Sequence, residues 1–234
     1  MTAALADPYD GQHMGVTAES IAERWSLSRE LQDAYALESH RRASAAITAG
    51  RFEDQILPIE LKSKKGTVVF DTDEHVRMSA TIDDMTKLRA VFQKDGTVTA
   101  GNASGLNDAA AATVLMERSV AEKKGLKPLA RLLARGHAGV HPQIMGIGPV
   151  PAVQNALKRA GLTVAQMDVI ESNEAFAAQS CAVAKDLGFD AAKTNPNGGA
   201  IALGHPIGAT GCLITIKALY ELQRIGGRYA LVTM

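Results

Sequence analysis

The glycine-rich segment Asn195–Gly211 constrains this chain more than any other stretch. It holds five glycines, at positions 198, 199, 204, 208 and 211. Glycine loses more conformational entropy on folding than other residues, so this density indicates backbone conformations or close approaches that side chains would prevent. A glycine-rich loop leading into a helix also presents free N–H groups to an oxyanion or a phosphate. The segment matches neither Gly-x-Gly-x-x-Gly nor a P-loop, which argues against a nucleotide phosphate site.

A single histidine, His205, lies inside this loop and is followed by Pro206. A positioned imidazole can act as a general base or donate a hydrogen bond to an oxyanion. It can equally be a structural group bonded to a backbone carbonyl. The loop alone favours neither role over the other.

Asn173 follows a run that predicts a buried strand, in the segment Glu171–Phe176, where a helix is expected to begin. Ligands collect at the carboxyl ends of strands in open α/β sheets. Asn173 is therefore a candidate for holding a water or a carbonyl. Taken in isolation, capping the following helix is the more common role for such a residue.

Two further segments are candidates for ligand contact. His13, in Gly11–Gly15, precedes the first helix and is either a ligand contact or a turn residue. The small residues of Thr97–Asp108 suit the close approach of a long, thin ligand, or a tight turn into the apolar run Ala109–Met116. The residue types leave these alternatives open.

The order of predicted elements favours an α/β arrangement in three layers. Hydrophobic periodicity predicts helices and short strands in alternation. The helices are expected at 17–27, 28–50, 117–124, 149–161, 174–187 and 209–224, and the strands at 54–61, 67–70, 109–116, 129–134, 167–172 and 229–234. A boundary is predicted near Leu126.

Composition excludes several classes of protein. The 25 basic and 25 acidic side chains cancel, and aromatic residues make up 4%, which argues against nucleic acid and anionic membranes as partners. No apolar run approaches the ~20 residues that span a bilayer, and the N-terminus lacks signal-peptide features. Cys181 and Cys212 have no metal-ligand spacing, so we expect no metal site and a reducing, cytoplasmic compartment.

Five motifs, in this order, carry a resemblance to a known family: HMGVTAE, TAGNASGLNDAAAA, MGIGPVPA, SNEAFAAQ and NPNGGAIALGHPIGATG. Together they resemble the thiolases, and more specifically bacterial acetyl-CoA acetyltransferases and β-ketothiolases. The resemblance extends essentially without gaps from His13 to Met234.

The resemblance implies a layered α-β-α-β-α fold of two similar half-domains, here incomplete and with an inserted loop domain. Residues 1–106 would be the loop domain, which contacts CoA and other subunits. Residues 107–127 would be a remnant of the N-terminal half, and residues 128–234 the truncated C-terminal half. The complete protein would be a homotetramer.

The implied reaction is acyl transfer between a cysteine and coenzyme A. It joins two acetyl-CoA into acetoacetyl-CoA or cleaves a short 3-ketoacyl-CoA, with the acyl-CoA as substrate and no permanently bound cofactor. His205 would raise the thiolate fraction of the nucleophile, and Asn173 would hold a water that donates to a thioester oxygen. Substrate and CoA contacts would come from His13, Met14, Arg77, Phe92, Ala100, Ser104, Met145 and Phe176.

Both cysteines that the family uses are expected to be missing. The sequence contains neither a Cys-Gly-Ser-Gly block nor a Cys-x-Gly-Gly-Gly block. Cys181 and Cys212 fall within predicted helices and are expected to be small buried hydrophobes. The sequence therefore predicts an internal piece of a thiolase that is inactive by itself. A non-catalytic CoA-binding or assembly module is the alternative.

Overall fold

The computed structural model describes residues 4–234. Its eight α-helices and four β-strands are numbered here in chain order. The helices are α1 Met14–Arg24, α2 Arg29–Thr48, α3 Ile82–Thr86, α4 Arg118–Lys123, α5 Pro149–Ala160, α6 Ala177–Leu187, α7 Ala200–Leu203 and α8 Thr210–Arg224. The strands are β1 Ile59–Ser63, β2 Gly66–Phe70, β3 Val169–Ser172 and β4 Ala230–Thr233.

Strand β3 is hydrogen-bonded along both of its edges. It pairs in parallel with β4, from Val169 opposite Ala230 to the strand ends. On the other edge, Ile170 donates its N–H to the Lys193 carbonyl (2.9 Å) and accepts from the Asn195 N–H (2.8 Å). All four β3 residues are buried. The parallel pairing and the helices on both sides of it agree with the predicted α/β class.

The helix predictions are largely confirmed. Helix α2 is capped by Ser28, whose hydroxyl accepts a hydrogen bond from the Leu31 N–H. Helix α5 is amphipathic and buries Val153 and Leu157 against the β3–β4 pair. Helix α6 begins at Ala177 rather than at residue 174, because Phe176 still has an extended backbone and is the N-cap residue.

The two strands predicted at 109–116 and 129–134 are wrong. Both runs are irregular and exposed, with Val114, Leu115 and Leu132 at 85%, 80% and 73% exposure. An apolar run forms a strand only where another strand completes its ladder of hydrogen bonds. None of the described residues forms such a ladder with either run.

The hairpin β1–β2 projects from the rest of the chain. Its antiparallel register pairs Ile59 with Phe70 and Ser63 with Gly66, so the two predicted strands are confirmed. The first begins at Ile59 rather than at residue 54, because Glu53–Gln55 forms a 3₁₀ turn. All ten hairpin residues are exposed on both faces.

Within residues 4–234, no helix combines the length and the apolar character that crossing a bilayer requires. The same residues contain no group of three or more His, Cys, Asp or Glu side chains that could hold a metal ion.

His40 makes the fold sensitive to acid. Its Nδ1 accepts a hydrogen bond from the Arg77 N–H (3.1 Å). Burial, together with the nearby His75 and Arg77, lowers the pKa of His40 from 6.5 to about 4. As the pH falls, His40 is protonated in the unfolded chain before it is protonated in the folded chain. The free energy of unfolding should therefore decrease by about 3 kcal/mol between pH 6.5 and 4.

We expect His40→Asn to reduce this acid sensitivity, because the Asn carbonyl can still accept the Arg77 N–H and does not titrate. The measurement is the free energy of unfolding by urea at pH 7, 5.5 and 4.5 in both proteins. An identical loss of stability in the two proteins would contradict the assignment to His40.

Candidate active site

His205 and Asn173 form the centre of the site. Asn173 directly follows β3, and its N–H donates to the Thr233 carbonyl of β4 (2.9 Å). Its Nδ2 lies 3.4 Å from His205 Nε2. Asn173 does not cap α6, so the capping role that is more common for such a residue is wrong here. The two motifs that carry these residues meet at the carboxyl end of the buried strand.

The hydrogen bonds around His205 determine which ring nitrogen carries the proton. His205 Nδ1 lies 2.7 Å from Thr210 Oγ1, and that hydroxyl donates its hydrogen to the Pro206 carbonyl (3.0 Å). Thr210 must therefore accept a proton from Nδ1. This leaves a lone pair on Nε2, directed at the amide donor of Asn173. The ring nitrogens thus bond to the Thr210 hydroxyl and the Asn173 amide, and not to a backbone carbonyl as the structural alternative expected.

Burial lowers the pKa of His205 below its ordinary value of 6.5. Desolvation disfavours the charged form, and the ring is consequently neutral at neutral pH. A neutral imidazole with a free Nε2 lone pair is the form in which histidine accepts a proton.

The backbone of His205 is attached to the small-residue segment predicted to approach a ligand. The His205 N–H donates to the Gly105 carbonyl (3.2 Å) and to Asn107 Oδ1 (3.3 Å). Ser104 in turn donates its N–H to the Ala175 carbonyl (3.0 Å). These bonds bring Ser104 beside the residues that follow Asn173.

Three rings pack together beside the small-residue segment, with which Phe176 forms a backbone bridge. The His13 and Phe92 rings are stacked, with centroids 4.8 Å apart, and Phe176 meets Phe92 edge-on at 6.1 Å. His13 also caps α1, because its Nδ1 accepts from the Gly15 N–H. His13 thus has the turn role that the sequence suggested and still lies against the aromatic wall.

Met14 and Met145 share an apolar pocket of about 190 Å³. Met14 comes from the first turn of α1, and Met145 from the 3₁₀ segment Pro142–Ile147. Tyr9 and Val140 complete its outer rim. The two methionines expected to meet an acyl group therefore do lie together.

Arg77 and Ala100 lie at the periphery. Both are exposed, and among the described residues no hydrogen bond joins the Arg77 side chain to the His205–Asn173 pair. Arg77 is connected to the site through the chain, since His75 packs closely against Gly105.

Two buried acids, which the sequence did not single out, hold the small-residue segment in place. The Glu19 carboxylate accepts from the N–H groups of Thr97 and Val98 (2.9–3.0 Å). Asp33 accepts from Asn102 Nδ2 (2.9 Å) and pairs with Arg29 (2.6 Å). Acids within helices are ordinarily solvent-exposed, so no sequence pattern marks them as loop anchors.

Among the described residues, neither cysteine is hydrogen-bonded to His205. Cys212 Sγ lies 3.8 Å from Thr113 Oγ1, and Cys181 lies on α6. Burial, with the nearby Glu174 charge, raises the pKa of the Cys181 thiol to about 12. Such a thiol carries almost no thiolate at neutral pH and is a poor nucleophile.

Comparison with known proteins agrees with this geometry. The profile described as "Thiolase, N-terminal domain" matches residues 1–119, and "Thiolase, C-terminal domain" matches residues 126–234. The chain belongs to the thiolase family, and the resemblance drawn from its motifs is confirmed.

Similar sequences carry the names of thiolase enzymes. The chain is 70% identical to the beta-ketothiolase BktB of Cupriavidus necator, over 100% of this chain and 60% of that relative. It is 52% identical to an acetyl-CoA acetyltransferase of Shinella zoogloeoides, over 98% of this chain and 59% of the relative. The chain thus spans about 60% of the length of these relatives.

Solved structures confirm the fold. The crystal structure of the Bacillus anthracis acetyl-CoA acetyltransferase superposes with a TM-score of 0.96 at 47% identity, covering 98% of this chain and 58% of that one. Human mitochondrial 3-ketoacyl-CoA thiolase in complex with CoA gives 0.91 at 46% identity, covering 98% and 57%. The predicted thiolase-like α/β class is correct.

We expect Cys181 to resist alkylation in the folded protein, because its raised pKa suppresses the thiolate. Iodoacetamide at pH 8 should leave it unmodified, and denaturation in urea should make it reactive. Peptide mass spectrometry before and after denaturation measures this. Rapid modification of Cys181 in the folded state would contradict the assigned environment.

Proposed function

We propose that this chain carries the histidine and asparagine half of a thiolase active site, which catalyses acyl transfer between a cysteine and coenzyme A. The observation that carries the proposal is the neutral His205 imidazole, with its Nε2 lone pair facing Asn173 at the end of β3. The reaction is condensation of two acetyl-CoA into acetoacetyl-CoA, or thiolytic cleavage of a short 3-ketoacyl-CoA.

His205 accepts a thiol proton at Nε2 and so raises the thiolate fraction of the attacking sulfur. Thr210 keeps Nδ1 protonated throughout and holds the ring plane. Once protonated at Nε2, the imidazolium donates to the acyl oxygen. The lowered pKa of His205 supports this role, because the proton is readily returned.

Asn173 orients a water toward the thioester oxygen. Its Oδ1 is buried and has no hydrogen-bond partner among the described residues. A water that donates one hydrogen to Oδ1 has its other hydrogen free for the thioester. Together with His205, this water stabilises the negative charge that develops on that oxygen.

The substrate enters along the aromatic wall and the small-residue loop. His13, Phe92 and Phe176 line the pantetheine arm, and Met14 and Met145 contact the acyl group. Ser104 and Ala100 touch pantetheine, and Arg77 meets the adenosine 3′,5′-diphosphate end. The pocket shared by the two methionines supports a short acyl chain, and a structural neighbour is described in complex with CoA.

The nucleophilic cysteine is neither Cys181 nor Cys212. The raised pKa of Cys181 and the position of Cys212 beside Thr113 support this assignment. We accordingly expect the 234-residue chain to be inactive by itself. We retain the division into residues 1–106, 107–127 and 128–234, in which the first segment contributes most of the CoA contacts.

The exposed hairpin β1–β2 supports assembly into a tetramer. An isolated two-stranded hairpin is marginally stable, and this one exposes Ile59, Val68 and Val69 at 54%, 64% and 52%. Contact with a second copy would cover these side chains. Both cysteines are free thiols, which supports the cytoplasm as compartment.

The catalytic role of His205 is tested by removing its imidazole. In the natural protein that contains this sequence, His205→Ala should lower the rate of acetoacetyl-CoA thiolysis by about 10²- to 10⁴-fold. His137→Ala, at an exposed histidine, is the matched control and should keep the rate. The 234-residue chain alone should show no turnover. Saturable CoA binding without turnover in the natural protein would instead favour the non-catalytic module.

The role of the hairpin in subunit contact is tested by placing a charge on it. Val68→Lys should convert tetramers to smaller species, because it places a charge in the apolar contact. Ile225→Lys, at another exposed apolar residue outside the hairpin (45% exposed), serves as control. Sedimentation velocity measures the assembly, and an unchanged tetramer in Val68→Lys would exclude the hairpin contact.

A further inference from the structure

Glu174 is a buried acid next to Asn173 whose carboxylate is fully hydrogen-bonded. Its side chain is 2% exposed, and each carboxylate oxygen accepts two hydrogen bonds. Oε2 accepts from Ser39 Oγ (2.6 Å) and the Ile201 N–H (3.2 Å). Oε1 accepts from Asn195 Nδ2 (2.9 Å) and the Tyr35 hydroxyl (3.3 Å).

These donors come from two separate parts of the chain, helix α2 and the glycine-rich segment. Ser39 and Tyr35 lie on α2, Asn195 begins the glycine-rich segment, and Ile201 lies on α7 within that segment. Ser39 extends the connection, because its Oγ also accepts from the Gly199 N–H (3.0 Å). A Cβ at Gly199 would collide with the Glu174 carboxyl, so this glycine is required for the close approach.

The position of Glu174 links both members of the His205–Asn173 pair. Glu174 follows Asn173 directly in the chain. On the other side, α7 is a single helical turn that ends at Leu203, two residues before His205. A carboxylate bonded to the Ile201 N–H therefore limits how far His205 can move relative to Asn173.

Two other buried acids beside the same segment are paired with cations. Glu171 bonds to Lys217, which donates to the Gly198 carbonyl. Glu221 bonds to Arg224 and accepts from Asn197. Glu174 has only neutral donors among the described residues. Burying a charge without a cation is costly and needs full hydrogen bonding, so stability alone is a weak reason for an acid at this position.

We propose that Glu174 is a positioning residue, whose carboxylate holds Asn173 Nδ2 and His205 Nε2 at their working separation by joining the end of β3 to the glycine-rich segment and to α2. This inference rests on the proposed acyl-transfer function. Misplacement of a reacting group by about 1 Å costs on the order of 10²-fold in rate. The effect should therefore appear in kcat.

The test uses Glu174→Gln in the natural protein that contains this sequence. In Gln, an NH₂ group replaces one carboxylate oxygen. Whichever oxygen it replaces, this donor then faces two other donors. We expect kcat for acetoacetyl-CoA thiolysis to fall about 10²-fold, while KM changes less than about twofold. Ser39→Ala removes one donor to the carboxylate and should lower kcat by a smaller factor. This variant tests the same contact if Glu174→Gln does not fold.

Glu19→Gln is the matched control. Glu19 is also buried and also accepts hydrogen bonds from a loop, but it anchors Thr97 and Val98 at the start of the small-residue segment. Its loss should raise KM for the CoA substrate more than it lowers kcat. Urea unfolding of both variants separates positioning from a general loss of stability.

A second readout is independent of turnover. In protein with isotope-labelled histidine, the His205 imidazole resonance, identified by its absence in His205→Ala, should be sharp in the parent. It should broaden or shift in Glu174→Gln and change less in Glu19→Gln. A parent without thiolase activity would refute the proposed function and leave this measurement valid. An unperturbed His205 resonance, or a change in KM alone, would overturn the positioning role.

Discussion

Strand β3 is hydrogen-bonded on both edges and buried along its whole length, and the site depends on this arrangement. One edge pairs with β4 and the other with residues 193–195. The glycine-rich segment therefore starts at a fixed distance from the end of β3, where Asn173 emerges. His205 meets Asn173 because Asn173 directly follows β3 and the glycine-rich segment begins at residues bonded to the edge of the same strand.

Buried acids then hold the loops around the site against the helices through side-chain hydrogen bonds. Glu19 and Asp33 secure the small-residue segment to α1 and α2, and Glu174 secures the glycine-rich segment to α2. Glu19 and Glu174 each accept several hydrogen bonds from a loop, and Asp33 accepts one. Val98 and Ile201 from these loops also pack into apolar clusters, and the polar anchors add fixed directions to that packing.

Several elements were predictable from sequence because their causes are local. Ser28 begins α2 by capping it, and the amphipathic period of α5 identifies its buried side. The irregular segments 109–116 and 129–134 were not predictable in this way. Their apolar character indicates burial, but strand formation depends on a neighbouring ladder, which is a property of the surroundings and not of the run itself.

For the candidate site, too, some features were predictable from the sequence and others were not. The motifs around His205, Asn173, His13 and Ser104 identified the residue types and the thiolase family, because such chemistry needs glycine, histidine and asparagine at set places. Only the tertiary structure decided the His205 tautomer, since Thr210 is bonded in turn to Pro206. It also decided that Asn173 faces His205 and does not cap α6, because β4 and α2 determine where each loop lies.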